Sequence, residues 1–319
     1  MKKQSRILIV GHNDVVEHAL AGHFLGKGYA DVHSASRIKL DVFNQSRVAK
    51  FFAKERPEYV FLASTRSGGI EANQKYAAEF IYSNLASQNH VVHSAYQSGV
   101  KKLLFIASSC IYPKESAQPI REESLLTGAL EPTSEPYAVA KIAGVKLCQA
   151  YRRQYGFKAI AMVPATLYGP GSDTDPKNAH VLGALLAKFH AAVERNDKEV
   201  VLWGSGKPRR EFLFIDDFVA ACVFLMERYD GPDLINAGAG GDVAVKVLAG
   251  MIAAVVGFKG TIIFDASKPD GAMRKLLDSR RMRKLGWRPR VELKQGIEET
   301  YAWYKTNVKR DTGCVKRCS

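Results

Sequence analysis

The apolar positions fall into short unbroken runs separated by longer amphipathic segments. Arg6-Ile-Leu-Ile-Val10 closes on Gly11, and similar runs recur at Tyr59-Val-Phe-Leu-Ala63, Lys102-Leu-Leu-Phe-Ile106 and Lys158-Ala-Ile-Ala-Met-Val163. Continuous apolar runs of this length, without alternation, are the pattern of strands covered on both faces. Between them, apolar spacing and the breakers Gly28, Pro57, Gly99 and Gly156 predict helices over about 15–26, 45–56, 71–98 and 136–155. Buried strands alternating with helices imply right-handed crossovers and a doubly wound, Rossmann-like parallel sheet.

The rhythm changes after Pro164. The segment from Leu167 to Asn178 is rich in Gly, Pro and turn formers, as expected of a crossing between domains or a loop over a site. A helix near 180–195, a strand near 199–203 and a strand–helix pair over 211–229 follow. The expected organisation is a dinucleotide-binding domain, 1–167 plus about 211–239. A smaller mixed α/β substrate domain takes about 168–210 and 240–306, and 307–319 form a basic tail.

Composition narrows the class. A chain of 319 residues with 46% hydrophobic positions builds a substantial core, which excludes disorder and a disulfide-stapled miniature fold. No apolar stretch approaches the ~20 residues that span a bilayer, and the reading is a soluble, cytoplasmic protein. Cys110, Cys148, Cys222, Cys314 and Cys318 form no Cys-x-x-Cys pair, which suits reduced thiols and argues against a metal site. The 46 Lys+Arg against 32 Asp+Glu give a net charge of +14, compatible with a basic surface, nucleic acid, an acidic membrane face or polyanionic small molecules.

The chemistry concentrates at two places. Tyr137-Ala-Val-Ala-Lys141 puts a phenol and an ammonium on one face of a helix, where the cation favours the phenolate and suits the phenol to proton transfer. Ser108 or Ser109, at the end of the strand before it, is placed to hydrogen-bond the same carbonyl oxygen. The turn after the first strand, Gly11-His12-Asn13-Asp14-Val15-Val16-Glu17, has the position of a nucleotide-binding loop but only its first glycine. Asp14 can cap the helix itself, and Glu17 adds bulk and charge where close packing is wanted. After the second strand, Asp31-Val-His-Ser-Ala-Ser-Arg37 offers a basic residue, suited to the 2′-phosphate of NADP, and no acid of the kind that holds a ribose hydroxyl.

Several blocks together carry a family resemblance: Gly68-Gly-Ile70, Ser108-Ser-Cys-Ile-Tyr-Pro113, Glu131-Pro-Thr-Ser-Glu-Pro-Tyr137 through Gly144, Leu167-Tyr-Gly-Pro170, Asn178-Ala-His180-Val, Arg210-Glu-Phe-Leu213 and Asp265-Ala-Ser-Lys-Pro-Asp-Gly271. From about residue 5 to about 305 the chain resembles the GDP-L-fucose synthases, a branch of the extended short-chain dehydrogenase/reductases. The resemblance implies 3,5-epimerisation of GDP-4-keto-6-deoxy-D-mannose, then hydride transfer from NADPH to the 4-ketone, in a homodimer packed through the long helices. Tyr137, Lys141 and Ser108 match the reductive residues, and Cys110 and His180 the epimerising base and acid. The implied cofactor cleft takes Gly11, His12, Asn13, Asp14, Val15, Val16, Arg37, Ala63, Ile106, Ala107, Ser108, Lys141, Pro164, Leu167 and His180. Lys188, Trp203, Arg210 and Asp270 match substrate contacts. Arg210 suits a diphosphate, although Glu211, Asp216 and Asp217 keep a structural salt bridge open.

The family's loop reads Gly-His-Arg-Gly-Met-Val-Gly, so Asn13, Asp14 and Glu17 each oppose an anion here. Three readings stay open: a working NADPH-dependent synthase, a cofactor-impaired paralogue that only epimerises or binds sugar nucleotide, and a nucleic-acid-binding protein. The basic excess in 274–290 matches no motif.

Overall fold

The structure, a computed structural model, describes residues 1–11, 15–63, 66, 68–175, 179–268, 270 and 272–315, without the side chains of Ile70, Glu71 and 308–315. In chain order the first half comprises β1 (Ile7–Val10), α1 (Val15–Gly26), β2 (Val32–Ser34), α2 (Gln45–Glu55), β3 (Tyr59–Leu62), α3 (Ile70–Lys75), α4 (Ala77–Gln97), β4 (Lys102–Ile106), α5 (Glu135–Tyr155) and β5 (Ala159–Pro164). The second half comprises β6 (Thr166–Tyr168), α6 (Val181–Glu194), β7 (Glu199–Trp203), β8 (Arg209–Arg210), β9 (Phe212–Phe214), α7 (Ile215–Arg228), β10 (Ile235–Ala237), β11 (Val243–Ala244), α8 (Val245–Val256), β12 (Thr261–Asp265), β13 (Arg274–Lys275), α9 (Arg280–Lys284) and α10 (Leu293–Val315).

Six strands form one parallel sheet in the order β10-β5-β4-β3-β1-β2. The chain leaves β1 outward to β2 and then crosses to β3 on the other side, so the topological switch lies between β1 and β3. Ligands of such sheets bind beyond the carboxyl ends of the strands at that switch. Strands β1, β4 and β5 are buried along their whole length, as their unbroken apolar runs require.

The predicted helix over 71–98 is two helices. Tyr76 leaves helical geometry at φ −117° and ψ 34°, yet its N–H still bonds to Ala72 O and its carbonyl accepts from Phe80 N, so the bonding runs through the kink. No Gly or Pro marks the spot, which is why the sequence does not reveal it.

Smaller sheets lie beyond β5: β7 pairs with β12, β8 lies between β11 and β13, and β6 pairs with β9. The chain reaches them through Leu167-Tyr-Gly-Pro. Gly169, at φ +147°, lies so close to α7 that a Cβ there would stand 2.4 Å from Ile215 Cγ2. Two residues on, Gly171 comes within 3.5 Å of Val15 at the start of α1, measured from an ideal Cβ, so this crossing passes over the mouth of the sheet.

Candidate active site

The carboxyl ends of the strands collect the residues expected to hold a dinucleotide. Gly11 ends β1, Ala63 follows β3, Ile106 and Ala107 end β4, Pro164 ends β5, and Leu167 lies on β6. Val15 and Val16 open α1, and Arg37 stands exposed beyond β2. His12, Asn13 and Asp14 lie outside the described residues.

Glu17 is where the structure departs furthest from expectation. Its side chain is buried rather than crowding the turn, because it faces the end of β2. There Oε1 accepts from Ser34 Oγ, from Ser36 N at 2.9 Å and from Ser36 Oγ at 2.9 Å. An acid therefore does stand at the end of the second strand, delivered by α1, and linear spacing could not show it.

The helix bearing Tyr137 and Lys141 meets the sheet where β4 ends. Lys141 is 1% exposed, donates from Nζ to Ile106 O at 2.7 Å and lies over the Phe105 ring, 4.7 Å from its centroid. Tyr137, half-buried, stands one turn before it at the start of α5. That helix packs against the short 3-10 turn Ser109–Ile111, which follows Ser108 and carries Cys110. The turn is tied down by Tyr112, whose hydroxyl donates to Asn236 Oδ1 at 2.6 Å, linking the end of β4 to β10.

Burial pushes the Cys110 thiol above its ordinary range, and a hydrogen bond with Ser108 and the charges of Lys275 and Lys141 pull it back. His180, the residue before α6, is exposed. The protein around it lowers its pKa, and Lys275 adds to the effect. The resting forms these shifts favour are therefore a neutral thiol and a neutral imidazole.

Sequence reasoning missed Lys275. Strand β13 pairs with β8 in the register that sets Lys275 beside Arg210, and its own pKa is lowered chiefly by burial. Its charge reaches both Cys110 and His180, and with Ser109, Thr166 and Glu211 it lines a small cavity. The only trace in the sequence was the basic excess after residue 273, which had no assigned purpose.

The expected substrate contacts gather on the smaller sheets. Trp203 ends β7 at 76% exposure with Lys268 over its ring, 5.7 Å from the centroid, and Lys188 reaches from α6 to Val201 O. Arg210 donates to Ala272 O at 2.6 Å and Arg209 O at 2.8 Å, and Asp270 supports its charge. Asp270 itself accepts from Ser205 N and Ser205 Oγ at 2.9 and 2.6 Å. The salt bridge left open for Arg210 is absent among the described residues. Glu211 instead accepts from Gly240 N and Leu277 N, and Asp217 from Arg290 N and Val291 N.

Much of the basic excess in 274–290 is structural. Arg274 and Arg209 flank Asp242, Arg280 pairs with Asp278, and Arg281 reaches Glu122, Glu123 and Asp233. Among the described residues no helix is long and apolar enough to cross a membrane, and no His, Cys, Asp and Glu cluster could hold a metal ion.

A family model described as NAD dependent epimerase/dehydratase family matches residues 7–238, which run from β1 through β10. The chain belongs to the NAD dependent epimerase/dehydratase family. Within it, the chain is 49% identical over 306 residues to GDP-L-fucose synthase 1 of Arabidopsis thaliana, covering 96% of this chain and 95% of that one. It is 46% identical over 322 residues to GDP-L-fucose synthase of Escherichia coli K12, covering 98% and 100%. Among solved structures, a GDP-mannoheptose C4 reductase from Campylobacter jejuni with NADP bound superposes at a TM-score of 0.88 and 38% identity, covering 96% and 99%.

Proposed function

We propose that the chain is an NADP(H)-dependent epimerase and reductase that converts GDP-4-keto-6-deoxy-D-mannose to GDP-L-fucose. The observation that carries this is Lys141, buried and fixed to the end of β4 beneath the turn that bears Ser108 and Cys110. The proposed lobes are 1–167 with 211–239 for the dinucleotide, and 168–210 with 240–306 for the nucleotide sugar. A homodimer acting in the cytoplasm completes the proposal.

The residues fit a nicotinamide dinucleotide. Ala63 and Ala107 put small side chains after β3 and at the end of β4, Arg37 offers positive charge beyond β2, and Lys141 offers a fixed ammonium. When bound, NADPH supplies the hydride for the 4-carbon.

The remaining steps belong to side chains. The 4-ketone acidifies the C–H bonds at carbons 3 and 5, and the thiolate form of Cys110 takes one such proton, becoming the thiol, while negative charge moves onto the 4-oxygen. Ser108 and Tyr137 hydrogen-bond that oxygen, and His180, after taking up a proton to become the imidazolium, returns it to carbon from the opposite face, inverting the centre. Since burial raises the Cys110 thiol, proton removal speeds up with rising pH. In the reductive stage Tyr137 gives its hydroxyl proton to the 4-oxygen while Lys141 holds the local positive charge. Arg210, Lys188, Trp203 and Asp270 contact the sugar nucleotide, with Arg210 suited to its diphosphate.

Titration of the purified chain with NADPH and then the keto sugar nucleotide tests this. Saturable cofactor binding and consumption of NADPH are expected, and absence of binding at millimolar NADPH overturns the reading. Tyr137→Phe abolishes reduction but leaves solvent deuterium exchange beside the ketone, whereas Cys110→Ser suppresses exchange. The epimerase-only reading rests on the altered loop with Asp14 and Glu17, and wild-type exchange without NADPH consumption would establish it.

A further inference from the structure

The position of Glu17 carries a further inference, which rests on the proposed use of a nicotinamide dinucleotide. In sheets of this kind the end of the second strand is where the two nicotinamide dinucleotides are told apart. An acid there holds the ribose 2′-hydroxyl, and a basic residue there accommodates a 2′-phosphate. This chain places both. Arg37 is exposed beyond β2 and makes no ion pair among the described residues, and the Glu17 carboxylate lies at the same strand end. Glu17 is also 1% exposed and takes the hydroxyls of Ser34 and Ser36 together with the Ser36 amide.

We propose that Glu17 selects between the dinucleotides by opposing a 2′-phosphate at the end of β2. Two effects act in the same direction. The carboxylate repels a phosphate group that carries a charge near −2, and repulsion between like charges is weakly screened at a partly buried site. It also holds the Ser36 amide and hydroxyl, which are donors of the kind a phosphate needs. A ribose with a free 2′-hydroxyl suffers neither penalty, since it brings no charge to the strand end and does not need the Ser36 donors that Glu17 holds. The chain consequently discriminates less in favour of NADP(H) over NAD(H) than it would with glycine at this position.

Calorimetric titration of the wild type, Glu17→Gln and Glu17→Gly with NADP+, NAD+, 2′,5′-ADP and 5′-ADP tests this. The Gln variant keeps the shape of the side chain and removes its charge, so it decides the matter if the Gly variant does not fold. We expect each folded variant to bind NADP+ and 2′,5′-ADP at least tenfold more tightly, with NAD+ and 5′-ADP changed less than threefold. Binding of all four ligands with unchanged ratios overturns this inference and leaves the reductase proposal intact. Failure of the wild type and both variants to bind any dinucleotide overturns both. Glu17-dependent selection in a protein that does not reduce GDP-4-keto-6-deoxy-D-mannose upholds the inference and overturns the functional proposal.

Discussion

Lys141 Nζ donates a 2.7 Å hydrogen bond to the carbonyl oxygen of Ile106, joining the helix that bears Tyr137 to the strand end that leads into Ser108. This contact ties the proton-transfer helix to the strand end that leads into the turn carrying the thiol. Lys141→Met removes the bond and the buried charge together. Reduction of the keto sugar nucleotide is expected to fall by about 10²-fold or more, the usual scale for losing a positioned acid–base group. Deuterium exchange beside the ketone should persist within about tenfold, and parallel assays of NADPH oxidation and exchange check the separation.

Gly144, one turn beyond Lys141, is what lets that contact form. An added Cβ would stand 2.2 Å from Phe105 Cζ and 2.7 Å from Gln88 Oε1, and Phe105 is wholly buried. Gly144→Ala is expected to cost about 1–3 kcal/mol by overpacking, read from the midpoint of urea unfolding. Gly22, with nothing within 4 Å of its added Cβ, is the control, and Gly22→Ala should be tolerated.

Lys275 lowers the pKa of both Cys110 and His180 through its charge. Lys275→Met therefore raises both. The pH profile for deuterium exchange, which depends on thiolate, should shift to higher pH, with lower exchange at pH 7 and partial recovery at pH 9. A profile that drops uniformly without moving would show that Lys275 acts by other means.

Burial raises the Glu211 carboxyl to about 7 from an ordinary value of 4.5. Between those pH values the native protein holds a proton that the unfolded chain has already released, so this group's contribution to stability is lost as pH rises from 4.5 through 7. Glu211→Gln abolishes the titration. The variant's stability relative to the wild type should climb across that window, by at most about 3 kcal/mol. The slope is the quantity to measure, because an amide also changes the bonds to Gly240 N and Leu277 N.

Much of this was open to a reading of the chain. The runs at Ile7–Val10 and Lys102–Ile106 have the pattern of strands covered on both sides, and the four-residue spacing of Tyr137 and Lys141 fixed their common helix face. Local periodicity and helical geometry act over a few residues, so a sequence displays them directly.

Glu17, Arg210 and Lys275 were different. By sequence Glu17 was an ill-fitting acid in a phosphate loop, Arg210 had three nearby acids as partners, and Lys275 was surplus charge. Folding carries Glu17 to Ser34 and Ser36, leaves Arg210 bonded to backbone carbonyls, and sets Lys275 where its charge reaches Cys110, 165 positions earlier. The sequence by itself determined the long buried strands, most of the helices between them and the paired phenol and ammonium. Only the tertiary structure decided what each charge faces, because electrostatic and hydrogen-bond energies depend on distance in space and on burial, and neither is a property of position along the chain.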